Sequence, residues 1–210
     1  MAFETWIAFV VASFAMIIVP GPTVLMLIGY GLARGRKIAL VTMPGVMLGA
    51  GLSMFLAVSG LGAVLATSSL LFTILKWAGA AYLIWLGISM WRAPVPEAGM
   101  ETDPRYGDKG YGRIFFHAFA VTALNPKLVA FHMAFLPQFI DAGAPLWPQA
   151  IIMSVTFIGI AGISDTAYAL AAGSARDVLK KPSFLKIANR IGGTALIGAG
   201  AIMTTLKRAN

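Results

Sequence analysis

The chain has 210 residues, of which 59% are hydrophobic and only 11% charged, and its mean hydropathy of +0.82 is too high for a water-exposed surface. That composition excludes a soluble catalytic domain. The absence of cysteine excludes a disulfide scaffold, thiolate metal sites and dithiol electron carriers, and the net charge of +8 is spread over short loop clusters rather than gathered for a nucleic-acid partner.

Cutting the chain at its charges and turn residues predicts six apolar segments, at 5–29, 38–65, 70–91, 114–139, 146–172 and 187–206. Each is near the roughly 20 residues that a helix needs to cross about 30 Å of hydrocarbon. The strands of a closed barrel would alternate apolar and polar residues, whereas these segments are apolar all round. The first segment carries Glu4 and no Lys or Arg ahead of it, so it reads as a retained span rather than a signal peptide. It is interrupted by Ile18-Val19-Pro20-Gly21-Pro22-Thr23. The second and third share one uncharged run from Ile38 to Leu75, divided at Thr67-Ser68-Ser69. A loop at 92–113, with Pro94, Pro96 and Pro104, joins a first half at 1–91 to a second at 114–210. The fourth segment is interrupted at Ala123-Leu124-Asn125-Pro126-Lys127, and the fifth carries Asp165. The sixth opens Arg190-Ile-Gly-Gly193-Thr-Ala-Leu196, similar to Lys76-Trp-Ala-Gly79-Ala-Ala-Tyr82 in the third.

The expected fold is therefore an all-α membrane protein of six transmembrane helices. Three helices per half would make the second half an inverted repeat of the first, with broken first and fourth helices. Arg34, Arg36 and Lys37, then Arg92, Arg105, Lys109 and Arg113, then Arg176, Lys180, Lys181 and Lys186 follow alternate segments, whereas residues 66–69 and 140–145 hold no Lys or Arg. The positive-inside rule puts the charged loops in the cytoplasm and both termini outside an inner membrane. Lys207 and Arg208 run against that assignment.

Proline removes a backbone donor and clashes with the preceding turn, and freed backbone groups are tolerated in hydrocarbon only beside protein or a watery cavity. Pro20, Gly21, Pro22 and Thr23, with Asn125, Pro126 and Lys127, are thus the candidate binding residues, one set per half; the alternative is a pair of plain kinks. An ammonium at the centre of a span costs about 2.5–3.5 kcal/mol on insertion scales, so Lys127 needs a partner. Asp165 is the other deeply placed charge, and the two form either a site or a purely structural ion pair. His117 and His132 are fifteen residues apart on one segment, about 22 Å along a helix, and cannot share a metal. Gly45 and Gly49 have the spacing of closely packed helices. No Walker loop, nucleophile elbow or HExxH motif is present, and the reading calls for no enzyme activity, no cofactor and no metal.

Pro20-Gly21-Pro22, the run Leu75-Lys-Trp-Ala-Gly-Ala-Ala-Tyr-Leu-Ile-Trp-Leu-Gly87, Asn125-Pro126-Lys127 and Phe135-Leu-Pro137-Gln138-Phe139 together resemble the LysE/RhtB superfamily of bacterial amino-acid exporters, the second run being close to homoserine/threonine-type members. The resemblance implies a secondary transporter, an antiporter, that exports small amino acids or close derivatives with protons as coupling ion. A zwitterion would sit between the breaks, its carboxylate on Lys127 and on the free N–H groups after Pro22. Its amine would meet Asp165, Asn125 or unwound carbonyls near residues 18 and 124, with Asp165 carrying the proton. The alternative is a cation or metal exporter or channel of the same superfamily, which a single interior acid and no cysteine make a poor fit for soft metals. Partners are then an amino acid, a proton and the lipid bilayer; oligomeric state stays open, a homo-oligomer included.

Overall fold

In a computed structural model, the described residues are 1–92, 110–174 and single helical positions between 183 and 201. Most of the 92–113 loop, the Arg176–Lys181 basic cluster and much of the sixth segment lie outside them. The described residues form helices and no strand: α1 (Phe3–Ile17), α2 (Pro22–Arg34), α3 (Arg36–Val41), α4 (Met43–Thr67), α5 (Ser69–Arg92), α6 (Tyr111–Ala123), α7 (Pro126–Phe139) and α8 (Leu146–Ser174). Among the described residues three stretches, Arg36–Val64, Ser69–Ser89 and Leu146–Ala172, are long and apolar enough to cross a membrane as they stand. Two bent pairs raise the number to five: α1 with α2, at 50°, and α6 with α7, at 44°.

Both bends fall at the proline breaks, and both second helices open with proline at N1, where the missing N–H costs nothing. The first bent pair runs from Phe3 to Arg34, longer than the 5–29 expected, because two helices meeting at an angle need more chain to cover the same depth. Division of the long uncharged run falls where expected. Thr67 ends α4, Ser68 is extended, and Ser69 opens α5.

The distribution of polarity is that of a lipid-solvated protein. Phe3, Phe14, Leu48, Phe55, Leu70, Phe116, Val155 and Ile163 are exposed, while Ser13, Thr23, Ser53, Asn125, His132 and Asp165 are buried. Two seams between spans are closed backbone to backbone. A Cβ on Gly45 would stand 2.5 Å from the Phe115 carbonyl and one on Gly49 2.7 Å from that of Phe119, so α4 and α6 touch along a glycine groove. A Cβ on Gly79 would strike the Ala134 carbonyl, which joins α5 to α7 in the same manner. Gly193, one of the described positions of the sixth segment, faces Gly87 of α5, with the Trp91 indole donating to the Arg190 carbonyl at 3.0 Å. Beyond α7, the buried Gln149 carboxamide holds the connecting turn through Asp141, Ala144 and Pro145.

Candidate functional site

Pro20 and Pro22 decide what the first break needs. In an unbroken helix their amides would have bonded the carbonyls four residues earlier, those of Met16 and Ile18, and neither has an N–H to give. Side chains from other helices take their places. The Lys127 ammonium donates to the Met16 carbonyl at 2.9 Å and to the Val19 carbonyl at 2.7 Å, and the Tyr168 hydroxyl donates to the Ile18 carbonyl at 2.6 Å. A cation is thus held at the C-terminal, partly negative end of α1. The lysine stem reaches there across Gly21, where a Cβ would stand 3.2 Å from Lys127 Cδ and 3.6 Å from its Nζ. Gly21 has φ of −124° and needs no left-handed freedom. What it supplies is space.

The second break is capped from within. Asn125 accepts from the Lys127 backbone N–H at 3.0 Å, the N-cap bond that satisfies an orphan donor of α7. Its Nδ2 donates to Thr23 Oγ1 at 3.2 Å, and that hydroxyl lies 3.3 Å from the Thr122 hydroxyl. The breaks are therefore wired to each other twice, through Lys127 and through the Thr122, Thr23 and Asn125 side chains.

Met16, Val19, Gly21, Thr23, Thr122, Asn125 and Lys127 border a narrow cavity of about 50 Å³, with Asp165 on its α8 side. That volume holds on the order of one or two water molecules. Every candidate binding residue from the sequence is at this junction or its edge. Gly21, Thr23, Asn125, Lys127 and Asp165 line the cavity, while Pro20, Pro22 and Pro126 shape the breaks beside it. Lys127 and Asp165 face the same space without closing an ion pair. No nitrogen–oxygen distance of 4 Å or less joins them among the described residues, and the ammonium is spent on carbonyls instead. The carbonyls expected to take a substrate amine near residue 18 are thus occupied, and the Asn125 oxygen is engaged as a cap. The Asp165 carboxylate makes no hydrogen bond among the described residues.

Sequence reasoning missed Tyr168 and Thr122. Tyr168 is three residues after Asp165 and so shares its helix face, a signal that was readable. The two histidines are elsewhere. His117 Nδ1 lies 3.0 Å from the Tyr30 hydroxyl and His132 Nδ1 3.1 Å from that of Ser53. Among the described residues no three His, Asp or Glu side chains come together as a metal site.

The LysE type translocator family model matches residues 14–206. Homoserine/homoserine lactone efflux proteins of Salmonella typhimurium and Salmonella typhi are each 34% identical over 209 residues, which covers 100% of both chains in each comparison. An uncharacterized membrane protein of Vibrio cholerae is 30% identical over 207 residues, 99% of this chain and 100% of the relative. No solved structure matches the chain.

Proposed function

The chain belongs to the LysE type translocator family, whose members are transporters rather than enzymes, and from that premise we propose that it is a proton-coupled secondary exporter of homoserine-like small amino acids or their close derivatives. The observation that carries this reading is the cavity between the breaks, bordered by one ammonium and one carboxylate that are not spent on each other. That is the complement of a zwitterion.

The Lys127 ammonium has three N–H donors and uses two on carbonyls, which leaves one for a substrate carboxylate. The N–H groups that open α2, at Thr23 and Val24, have no backbone partner and carry the positive end of that helix dipole. They face the same anion. The amine goes to Asp165, which is also the proton carrier, and the Thr23 and Thr122 hydroxyls are available to a hydroxyl on the substrate side chain. The curated relatives are named for homoserine and its lactone, which share the amine and differ in whether a carboxylate is present. In this reading Asp165 recognises both and Lys127 only the first.

Such a cycle calls for six spans in two inverted halves. Each half opens with a bent pair, α1 with α2 and α6 with α7, broken ahead of a proline at N1. Its next long helix packs on the other half's bent pair, α4 on α6 and α7 and α8 on α1 and α2. The halves would rock about the cavity, in an inner membrane with both termini outside. Counterflow of radiolabelled homoserine and homoserine lactone in proteoliposomes tests the reading. Uptake above that of empty liposomes is expected for both, and uptake of neither would remove the proposal.

A further inference from the structure

One stripe of α7 runs Lys127, Phe131, Phe135, Phe139, at a step of four positions, so the rings stack above the ammonium on a single helix face. Phe131 and Phe135 have centroids 4.2 Å apart and Phe135 and Phe139 4.4 Å. Phe9 of α1 wedges against the upper two, at 5.6 and 5.4 Å. All four rings are no more than 2% exposed. The column begins at the narrow cavity, which Leu128 and Met16 line, and ends at a second cavity of about 370 Å³ that Phe139, Thr5, Gln138 and Asp141 line near the amino terminus. Twelve residues of α7 separate Lys127 from Phe139, about 18 Å of rise.

What sets this seam apart is how it is closed. The α4–α6 and α5–α7 seams are shut by glycines that bring backbones into contact, and such contacts leave nothing to rotate. Along α1 and α7 the backbones approach at few points, and the space between them is filled by rings. Side chains can swing where backbones cannot.

We propose that the α1–α7 seam is the outward half of the transport path and that Phe9, Phe131, Phe135 and Phe139 are its gate, closed in this structure. The proposal rests on the exporter reading, since it takes the narrow cavity as the substrate site. The gate keeps water and ions out of the cavity while the other side is open, and its opening joins the cavity to the outer vestibule beside Asp141. On the opposite side the α2–α6 seam is closed by Tyr30, fully buried and hydrogen-bonded to His117, so the two bent pairs close against each other at both ends.

The chain has no cysteine, so single thiols can be placed without background. Ala161→Cys puts one on the α8 wall of the narrow cavity. A membrane-impermeant methanethiosulfonate cation added to the outside of intact cells should label it slowly. Combining it with Phe135→Ala or Phe9→Ala should speed labelling by about tenfold or more, as an open state of roughly 0.1–10% occupancy becomes a major one. Phe116→Ala, on the exposed surface of α6, should leave the rate alone. Unchanged labelling in both ring variants, or equally fast labelling without them, overturns the gate. If the alanine variants do not insert, Phe9→Cys with Phe135→Cys, bridged by a short bis-thiosulfonate, decides: bridging should abolish counterflow and reduction restore it. Full counterflow in the bridged protein overturns the gate. The labelling arm needs no substrate, so fast labelling in the ring variants together with absent counterflow would uphold the gate and reject the exporter.

Discussion

Lys127→Met separates recognition from architecture. The substitution keeps the length of the stem and removes the ammonium, which strands the carbonyls of Met16 and Val19. Each buried acceptor left without a donor costs about 1–3 kcal/mol, or about 2–6 for the pair. Against this, a charge that costs about 2.5–3.5 kcal/mol at the centre of a span is no longer inserted. The difference leaves the variant within about 3.5 kcal/mol of the parent, folded and membrane-inserted. Its effect on cargo should be selective. A charged hydrogen bond to the carboxylate is worth about 1.5–3 kcal/mol, so apparent affinity for homoserine should fall about ten- to a hundredfold. Homoserine lactone, with no carboxylate to lose, should be much less affected. The assay is counterflow of each labelled compound in proteoliposomes, with thermal stability in detergent measured on the same preparations. Equal losses for the two compounds, or none for either, would refute the assignment of Lys127 to the carboxylate. A variant that fails to fold, rescued by adding Asp165→Asn, would instead mean a structural charge pair, whose single disruption costs about 3–5 kcal/mol.

Asp165→Asn keeps an acceptor for the amine and loses the titratable proton. It should therefore retain homoserine exchange while losing uphill export driven by a pH gradient, and gradient-driven export at the parent's rate would take Asp165 out of the coupling. Gly21→Ala puts a methyl 3.2 Å from Lys127 Cδ and should displace the ammonium from the Met16 and Val19 carbonyls, lowering counterflow several-fold with little change in membrane yield; parental counterflow would show that the stem can shift without consequence. Reporter tags at residues 2 and 210 should both face the periplasm and one inserted near Gly99 the cytoplasm, and a cytoplasmic carboxyl terminus would overturn the inverted halves.

The spans and their breaks were legible because lipid allows few solutions. Apolar length, charge and proline placed α4, α5, α8 and both bends to within a few residues, and the extended Ser68 fell where Thr67-Ser68-Ser69 had divided one long run. The partner of Lys127 was not legible in the same way. Its acceptors are the Met16 and Val19 carbonyls, and every residue carries a carbonyl, so side-chain identity holds no sign of them. The prolines did hold one. Counting four residues back from Pro20 and Pro22 names Met16 and Ile18 as the carbonyls left without donors, and the structure fills both from other helices. Searching only for an opposite charge led to Asp165, which borders the same cavity but does not touch the ammonium. The α4–α6 glycines were readable by spacing, while which helices they join depended on tertiary arrangement.

The position of the ammonium has a consequence for the cycle. Lys127 belongs to α7 and its two acceptors close α1, so the same pair of helices that the phenylalanines hold together apolarly is also tied by a polar link at the foot of the column. A substrate carboxylate at Lys127 draws the ammonium toward itself and weakens its bonds to the carbonyls, since an anion is the stronger acceptor. Binding and seam opening are thereby linked: the ligand binds better the state in which the ammonium has turned from α1, and it shifts the population toward that state. Saturating homoserine should then accelerate outside labelling of Ala161→Cys in the presence of intact phenylalanines, by a factor equal to its preference for the open state. Homoserine lactone, which cannot compete for the ammonium, should not. If homoserine and its lactone slow labelling equally, both merely shield the thiol; if homoserine alone slows it, the carboxylate stabilises the closed seam, and the polar link is not the trigger.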